Sequence, residues 1–153
     1  MFRASLFAVV LLLATSASPD AASNPKIIKV LPHFLDQAGH HTLSPSLYER
    51  DAYQMQLRKH PEQISALRFD IQWKPGSLKA AEWKLRAEIL GTKSRPGEFK
   101  RVEQSVKPGI WWENWSSLSL SKDAYRTLGE LSAWRITLWD GQNLLAEQKS
   151  FLW

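Results

Sequence analysis

The sequence contains no cysteine. This absence excludes a disulfide framework, a cysteine-based zinc site, an iron–sulfur centre and a thiol nucleophile. A small domain without disulfides must obtain its stability from its hydrophobic core. Tryptophan is correspondingly abundant, with eight residues among 153.

Catalytic signatures are also missing. The chain has no Gly-x-Ser-x-Gly, no His-Glu-x-x-His, no phosphate-binding glycine loop and no dinucleotide fingerprint. We therefore expect a protein that is not an enzyme and that has no cofactor. A hydrolase whose catalytic residues are dispersed along the chain stays as an alternative, because triads need no local motif.

The chain has one strongly apolar run, from Ala4 to Ala14. It is too short to span a bilayer, which needs about 20 residues, but it follows Arg3 and precedes small residues. This order predicts a signal peptide over residues 1–22, cleaved after Ala17 or Ala22, and one mature domain over 23–153. The mature chain then has no transmembrane segment and is periplasmic or extracellular.

The mature domain reads as a series of short strands. We predict strands over 27–31, 67–74, 83–90, 99–106, 110–120, 131–139 and 143–153, separated by turn residues. Pro32 is expected to end the first strand, and 32–43 to be a loop. A helix is predicted from Pro45 to Lys59, with Ser44 as its cap, and a short one over 121–128.

One segment has two interpretations. Between Leu78 and Leu90, apolar residues alternate as in a strand but also fit a helical stripe. The alternation of the neighbouring segments favours a strand. About seven strands with few helices predict an all-β fold, a single antiparallel sandwich with a helical insertion after the first strand and a short helix before the last hairpin.

This pattern resembles the immunoglobulin-like and fibronectin type III-like sandwiches of exported bacterial proteins. The resemblance depends on the strand count, on the Trp73 strand and on the hairpin from Trp134 to Trp153, and it covers about Lys26 to Trp153. The cysteines of true immunoglobulin domains are absent. The resemblance implies a binding, adhesion or accessory module, and it assigns no site residue.

The tryptophans divide into two groups. Three fall on apolar faces and are expected in the core: Trp73, Trp83 and Trp134. Four others are candidate ligand-binding residues, because exposed aromatic rings stack on sugar rings: Trp111, Trp112, Trp115 and Trp139. The alternative is that these residues pack beneath neighbouring loops.

A second candidate set could hold a metal ion. Imidazole and carboxylate groups are good ligands for zinc or copper, and four lie close together in sequence: His33, Asp36, His40 and His41. Their spacing matches no known ligand motif, so a solvated loop is the alternative interpretation.

The chain carries a net charge of +5, and removal of the signal peptide leaves that value unchanged. An exported basic domain meets envelope polymers more often than nucleic acid, so we expect no nucleic-acid partner. The sequence favours a non-catalytic binding or accessory protein of the cell envelope, with an envelope polymer, a glycan or a partner protein as its ligand. The alternative is a small carbohydrate-binding module that uses exposed tryptophans.

Overall fold

The computed structural model describes residues 24–109 and 114–153. These residues form seven β-strands, two α-helices and one short 3₁₀ helix, which follow one another along the chain as β1 (Lys26–Leu35), α1 (Leu47–Lys59), the 3₁₀ helix (Pro61–Gln63), β2 (Ala66–Lys74), β3 (Trp83–Gly91), β4 (Lys100–Ser105), β5 (Asn114–Ser121), α2 (Lys122–Leu128), β6 (Leu131–Asp140) and β7 (Asn143–Lys149). The prediction of a mostly β fold is confirmed. No helix within the described ranges is long and apolar enough to cross a bilayer.

The strands form two antiparallel sheets. One sheet has three strands in the order β1-β2-β5, and the other has four in the order β4-β3-β6-β7. Strand β2 alternates strictly between buried and partly exposed residues. This two-residue period gives the three-stranded sheet one apolar inner face and one polar outer face.

The ambiguous segment is a strand. From Trp83 to Gly91 it pairs with β4 on one side and with β6 on the other. Its buried apolar residues alternate with Lys84, Arg86 and Glu88, as expected for a strand of an antiparallel sheet with one inner face. The competing helical interpretation is therefore wrong for residues 83–91.

A single core cluster draws side chains from both sheets. Trp73 is completely buried, and its ring lies 5.5 Å from that of Trp83 on the other sheet. Trp134 is partly buried and packs against the same cluster, with its ring 6.4 Å from that of Phe69. The core positions predicted for these three tryptophans are confirmed.

Three predicted boundaries are wrong. Strand β1 continues through Pro32 to Leu35, because β1 is an edge strand, where a residue without an N–H is tolerated. Helix α1 begins at Leu47, and Ser46 rather than Ser44 caps it by accepting a hydrogen bond from the N–H of Glu49. Strand β7 ends at Lys149, and a turn follows it.

Candidate functional site

The candidate tryptophans do not lie together. Trp111 and Trp112 lie outside the described residues. Trp115 lies on β5 in the three-stranded sheet, and Trp139 lies on β6 in the four-stranded sheet. Both point away from the core, so they occupy the outer faces of different sheets. They cannot form one continuous platform.

Trp115 is the most exposed tryptophan whose side chain the structure describes, with 54% of its surface accessible. Its cross-strand partner is Gln72, and Ser117 follows two residues later on the same face. We call the outer side of the three-stranded sheet the polar face. Its polar and aromatic residues nearest the centre are His33, Arg68, Asp70, Gln72, Trp115, Ser117 and Ser119, and Lys29 and Leu31 of β1 lie on the same side. An exposed aromatic ring therefore borders a surface of hydrogen-bonding groups.

Asp70 lies at the centre of the polar face. One carboxylate oxygen accepts a hydrogen bond of 2.6 Å from the Ser117 hydroxyl, and the other accepts one of 2.9 Å from Arg68. The Nε2 atom of His33 lies 3.6 Å from the same carboxylate. Three strands thus contribute to one cluster, which fixes the positions of its donors and acceptors.

His33 is a buried member of this cluster. Burial lowers the pKa of its imidazole, and the attraction of Asp70 opposes that effect only in part; His41, Arg68 and Arg50 lower it further. His33 is therefore neutral at pH 7, while the charges of Arg68 and Asp70 offset each other. The cluster is close to neutral overall, although the chain as a whole is basic.

Trp139 has a different environment. Its indole N–H donates a 2.8 Å hydrogen bond to Thr137, and the guanidinium of Arg86 lies 4.5 Å from the centre of its ring. One ring face is thus occupied by a cation from the neighbouring strand. A ligand would have to displace Arg86 to stack on that face, so Trp139 is a weaker candidate than Trp115.

The four metal candidates separate into two pairs. His33 lies against His41, with 4.7 Å between the ring centres, whereas His40 lies 3.6 Å from Asp36. Asp36 has a structural role: it accepts hydrogen bonds from the N–H groups of Ala38 and His40, which close the loop after β1.

The second carboxylate oxygen of Asp36 is also occupied. It accepts a 2.7 Å hydrogen bond from Tyr53 of α1, which lowers the pKa of Asp36 and raises that of Tyr53 to about 12. In the part of the chain that the structure describes, no three His, Asp or Glu side chains are grouped so as to hold a metal ion. Metal binding by these residues stays a prediction.

The polar face contains a serine, a histidine and an aspartate, the three residue types of a serine hydrolase triad. In a serine hydrolase triad, the imidazole lies between the serine and the carboxylate and takes the proton from the serine. Here Asp70 lies between Ser117 and His33, so the order of the three groups differs from that of a triad. These three residues therefore form no triad, and the hydrolase alternative stays a prediction.

Sequence reasoning missed most of this cluster. Arg68, Asp70 and Ser117 are ordinary polar residues of alternating strands, and nothing local distinguishes them. The signal that could have found them is pairing: β2 and β5 run antiparallel, and this register places Asp70 directly opposite Ser117. In comparisons with known proteins, no family model, no curated protein and no solved structure matched the chain.

Proposed function

We propose that the domain is a fibronectin type III-like sandwich. In immunoglobulin constant domains, the fourth strand joins the sheet of the first, second and fifth strands. Here β4 pairs with β3 instead, which gives three strands in one sheet and four in the other. The contact between Trp73 and Trp83 across the two sheets supports face-to-face packing.

We further propose that this chain is an exported, non-catalytic binding module of the cell envelope. The observation that carries the proposal is the exposure of Trp115 beside the polar face. A single exposed aromatic ring is ordinary on a protein surface, as Phe151 shows. Trp115 differs because it adjoins donors and acceptors that mutual hydrogen bonds hold in place, and this combination favours a recognition role.

The chemistry of the polar face favours a glycan as the ligand. A sugar ring presents a flat apolar face, which Trp115 can cover, and hydroxyl groups at its rim. Ser117, Asp70 and Arg68 supply donors and acceptors whose positions are already fixed by mutual hydrogen bonds. Because this cluster is close to neutral, it suits uncharged hydroxyl groups better than a strongly anionic polymer.

The test is retention of the purified protein on insoluble glycans, with peptidoglycan, chitin and cellulose as the probes. Trp115→Ala is expected to raise the half-saturation concentration on the retained polymer by about tenfold or more, and Trp115→Phe by less. Phe151→Ala removes a fully exposed aromatic ring elsewhere on the surface and serves as the matched control.

Two results would overturn this proposal. One is retention on none of the three polymers. The other is retention that Trp115→Ala and Phe151→Ala change equally. Export has its own test: protein recovered from the cell envelope should begin at Ser18 or Ser23, and an uncleaved protein confined to the cytoplasm would contradict it.

A further inference from the structure

The two sheets present four edge strands, and three of them carry features that discourage pairing with another chain. In β1, Pro32 removes one donor, and the side chain of Gln54 from α1 bonds to both the N–H and the carbonyl of Phe34. This side chain thus occupies backbone groups that a neighbouring strand would use. Proline and a covering helix are two standard protections of a sheet edge.

The two edges of the four-stranded sheet are protected by other means. Strand β4 carries Lys100, Arg101 and Glu103, and all its residues but Val102 are exposed. The pairing of β7 with β6 shifts register between Leu138 and Trp139, which interrupts the row of backbone hydrogen bonds along β7. Edge charges and bulges both disfavour the addition of a further strand.

Strand β5 lacks three of these protections along its eight residues. It contains no charged residue and no proline, and its pairing with β2 runs without a register shift. Its inner residues Leu118 and Leu120 are already buried. Its outward residues after Trp115 are serines, whose small side chains leave room for a strand about 4.8 Å away.

We propose that the β5 edge pairs with the β5 edge of a second copy of this chain. Related by a two-fold axis, the two strands run antiparallel, and the two three-stranded sheets become one sheet of six strands. A self-pairing of this kind is easiest for a strand without charges, because no like charges then meet across the axis.

The alternation of β5 restricts the register. Residues that lie opposite each other in an antiparallel pair point to the same side of the sheet, and a slip of one residue would bring buried leucines against outward serines. Two face-matched registers pair seven residues of β5 each, one centred on Ser117 and one on Leu118. The register centred on Leu118 leaves Asn114 unpaired, and the Asn114 side chain already accepts a hydrogen bond from the N–H of Gly109, so the proposed dimer has that register, with Leu118 opposite Leu118 of the second copy. Ser117 then lies opposite Ser119 of the second copy.

The pairing also extends the polar face, a consequence that rests on the proposed function. In this register each Trp115 lies opposite Ser121 of the second copy, so the two tryptophans lie about 20 Å apart along the strands. Both belong to one outer face. The dimer would therefore present two Trp115 rings to a single extended polymer, which increases avidity without any new type of contact.

The test is sedimentation of the purified protein over a wide concentration range, with no glycan present. An edge of eight residues is a small interface, so we expect a weak, concentration-dependent dimer. Two double variants share the first substitution: Ser117→Lys with Ser119→Lys, and Ser117→Lys with Ser119→Asp. The first brings lysines together twice across the axis, and the second brings opposite charges together twice.

The two variants should therefore behave differently. The double-lysine variant should weaken self-association by about tenfold or more, whereas the lysine–aspartate variant should retain it. Within one chain the latter charges face Asp70 and Arg68, so both are also compatible with the fold. Where the double-lysine variant fails to fold, Ser119→Lys alone is compared with the native chain. Its two lysines are diagonal neighbours across the axis, so self-association should weaken in the same direction but by less.

The proposal is overturned by a native chain that stays monomeric up to about millimolar concentration, or by a dimer that both double variants leave unchanged or disrupt equally. Because sedimentation is measured without a glycan, failure of the dimer leaves the Trp115 retention experiment unaffected, and the reverse also holds.

Discussion

Substitution of Trp73 by phenylalanine tests whether buried tryptophan replaces disulfides in stabilising this domain. Trp73 is completely buried, and its indole N–H donates a 3.0 Å hydrogen bond to the Ser116 hydroxyl on β5. Replacing indole by phenyl loses about 40 Å² of buried apolar area, or about 1 kcal/mol. Loss of the hydrogen bond adds about 1 kcal/mol, so the free energy of unfolding should fall by about 2 kcal/mol in total.

A double-mutant cycle separates the two contributions. Ser116→Ala alone should cost about 1 kcal/mol, and the double variant about 2 rather than 3, because the hydrogen bond can be lost only once. The assay is urea denaturation followed by far-ultraviolet circular dichroism, since eight tryptophans complicate fluorescence. Trp115→Phe, the same change at an exposed position, should alter stability by less than about 0.5 kcal/mol. Additive effects at Trp73 and Ser116 would refute the assigned role of this bond.

Three further predictions concern the scaffold of the site. Burial lowers the pKa of His33 in the folded state, whereas the unfolded chain takes up this proton near pH 6.5. The contribution of His33 to stability is therefore complete above pH 6.5 and falls as the pH drops towards the lower folded pKa. His33→Gln should make the urea midpoint fall less between about pH 7 and pH 5. Gly91→Ala should cost more than about 2 kcal/mol by thermal denaturation, because a Cβ there would lie 2.3 Å from the carbonyl oxygen of Leu128. Gln54→Ala should lower the free energy of unfolding by about 2 kcal/mol, because it removes the side chain that bonds to the Phe34 backbone. Hydrogen exchange of the Phe34 amide should then become faster, and unchanged exchange would contradict the role assigned to Gln54.

Much of the fold could be predicted because local signals and burial agree. Strand β2 alternates cleanly, and the structure buries its large apolar residues: Leu67, Phe69, Ile71 and Trp73. The hairpin that the sequence predicts within Trp134 to Trp153 is present, and a turn at Gly141 and Gln142 joins β6 to β7. Where prediction failed, tertiary context decided: Pro32 is tolerated because β1 lies at a sheet edge, and no local pattern reports that position.

The candidate site was predictable only in part. Trp115 is a candidate from the sequence because Trp111, Trp112 and Trp115 lie within five residues, and the period of a strand cannot place all three on one face. Its partners were not identified, because Asp70 and Ser117 lie 47 residues apart and only the pairing of β2 with β5 brings them together. For Trp139 the outward position is predictable from strand alternation. The contact that covers one face of its ring is not, because the guanidinium of Arg86 comes from another strand.

Contact between Trp115 and a glycan can be observed directly by a titration followed through the indole N–H resonances in a ¹H–¹⁵N spectrum. A soluble fragment of whichever glycan retains the protein is the ligand, and Trp115→Phe assigns the Trp115 resonance by its disappearance. We expect the Trp115 resonance to shift with saturation, while that of buried Trp73 stays in place. A titration that shifts the Trp139 resonance and leaves that of Trp115 unchanged would place the binding surface on the other sheet and refute the role proposed for Trp115.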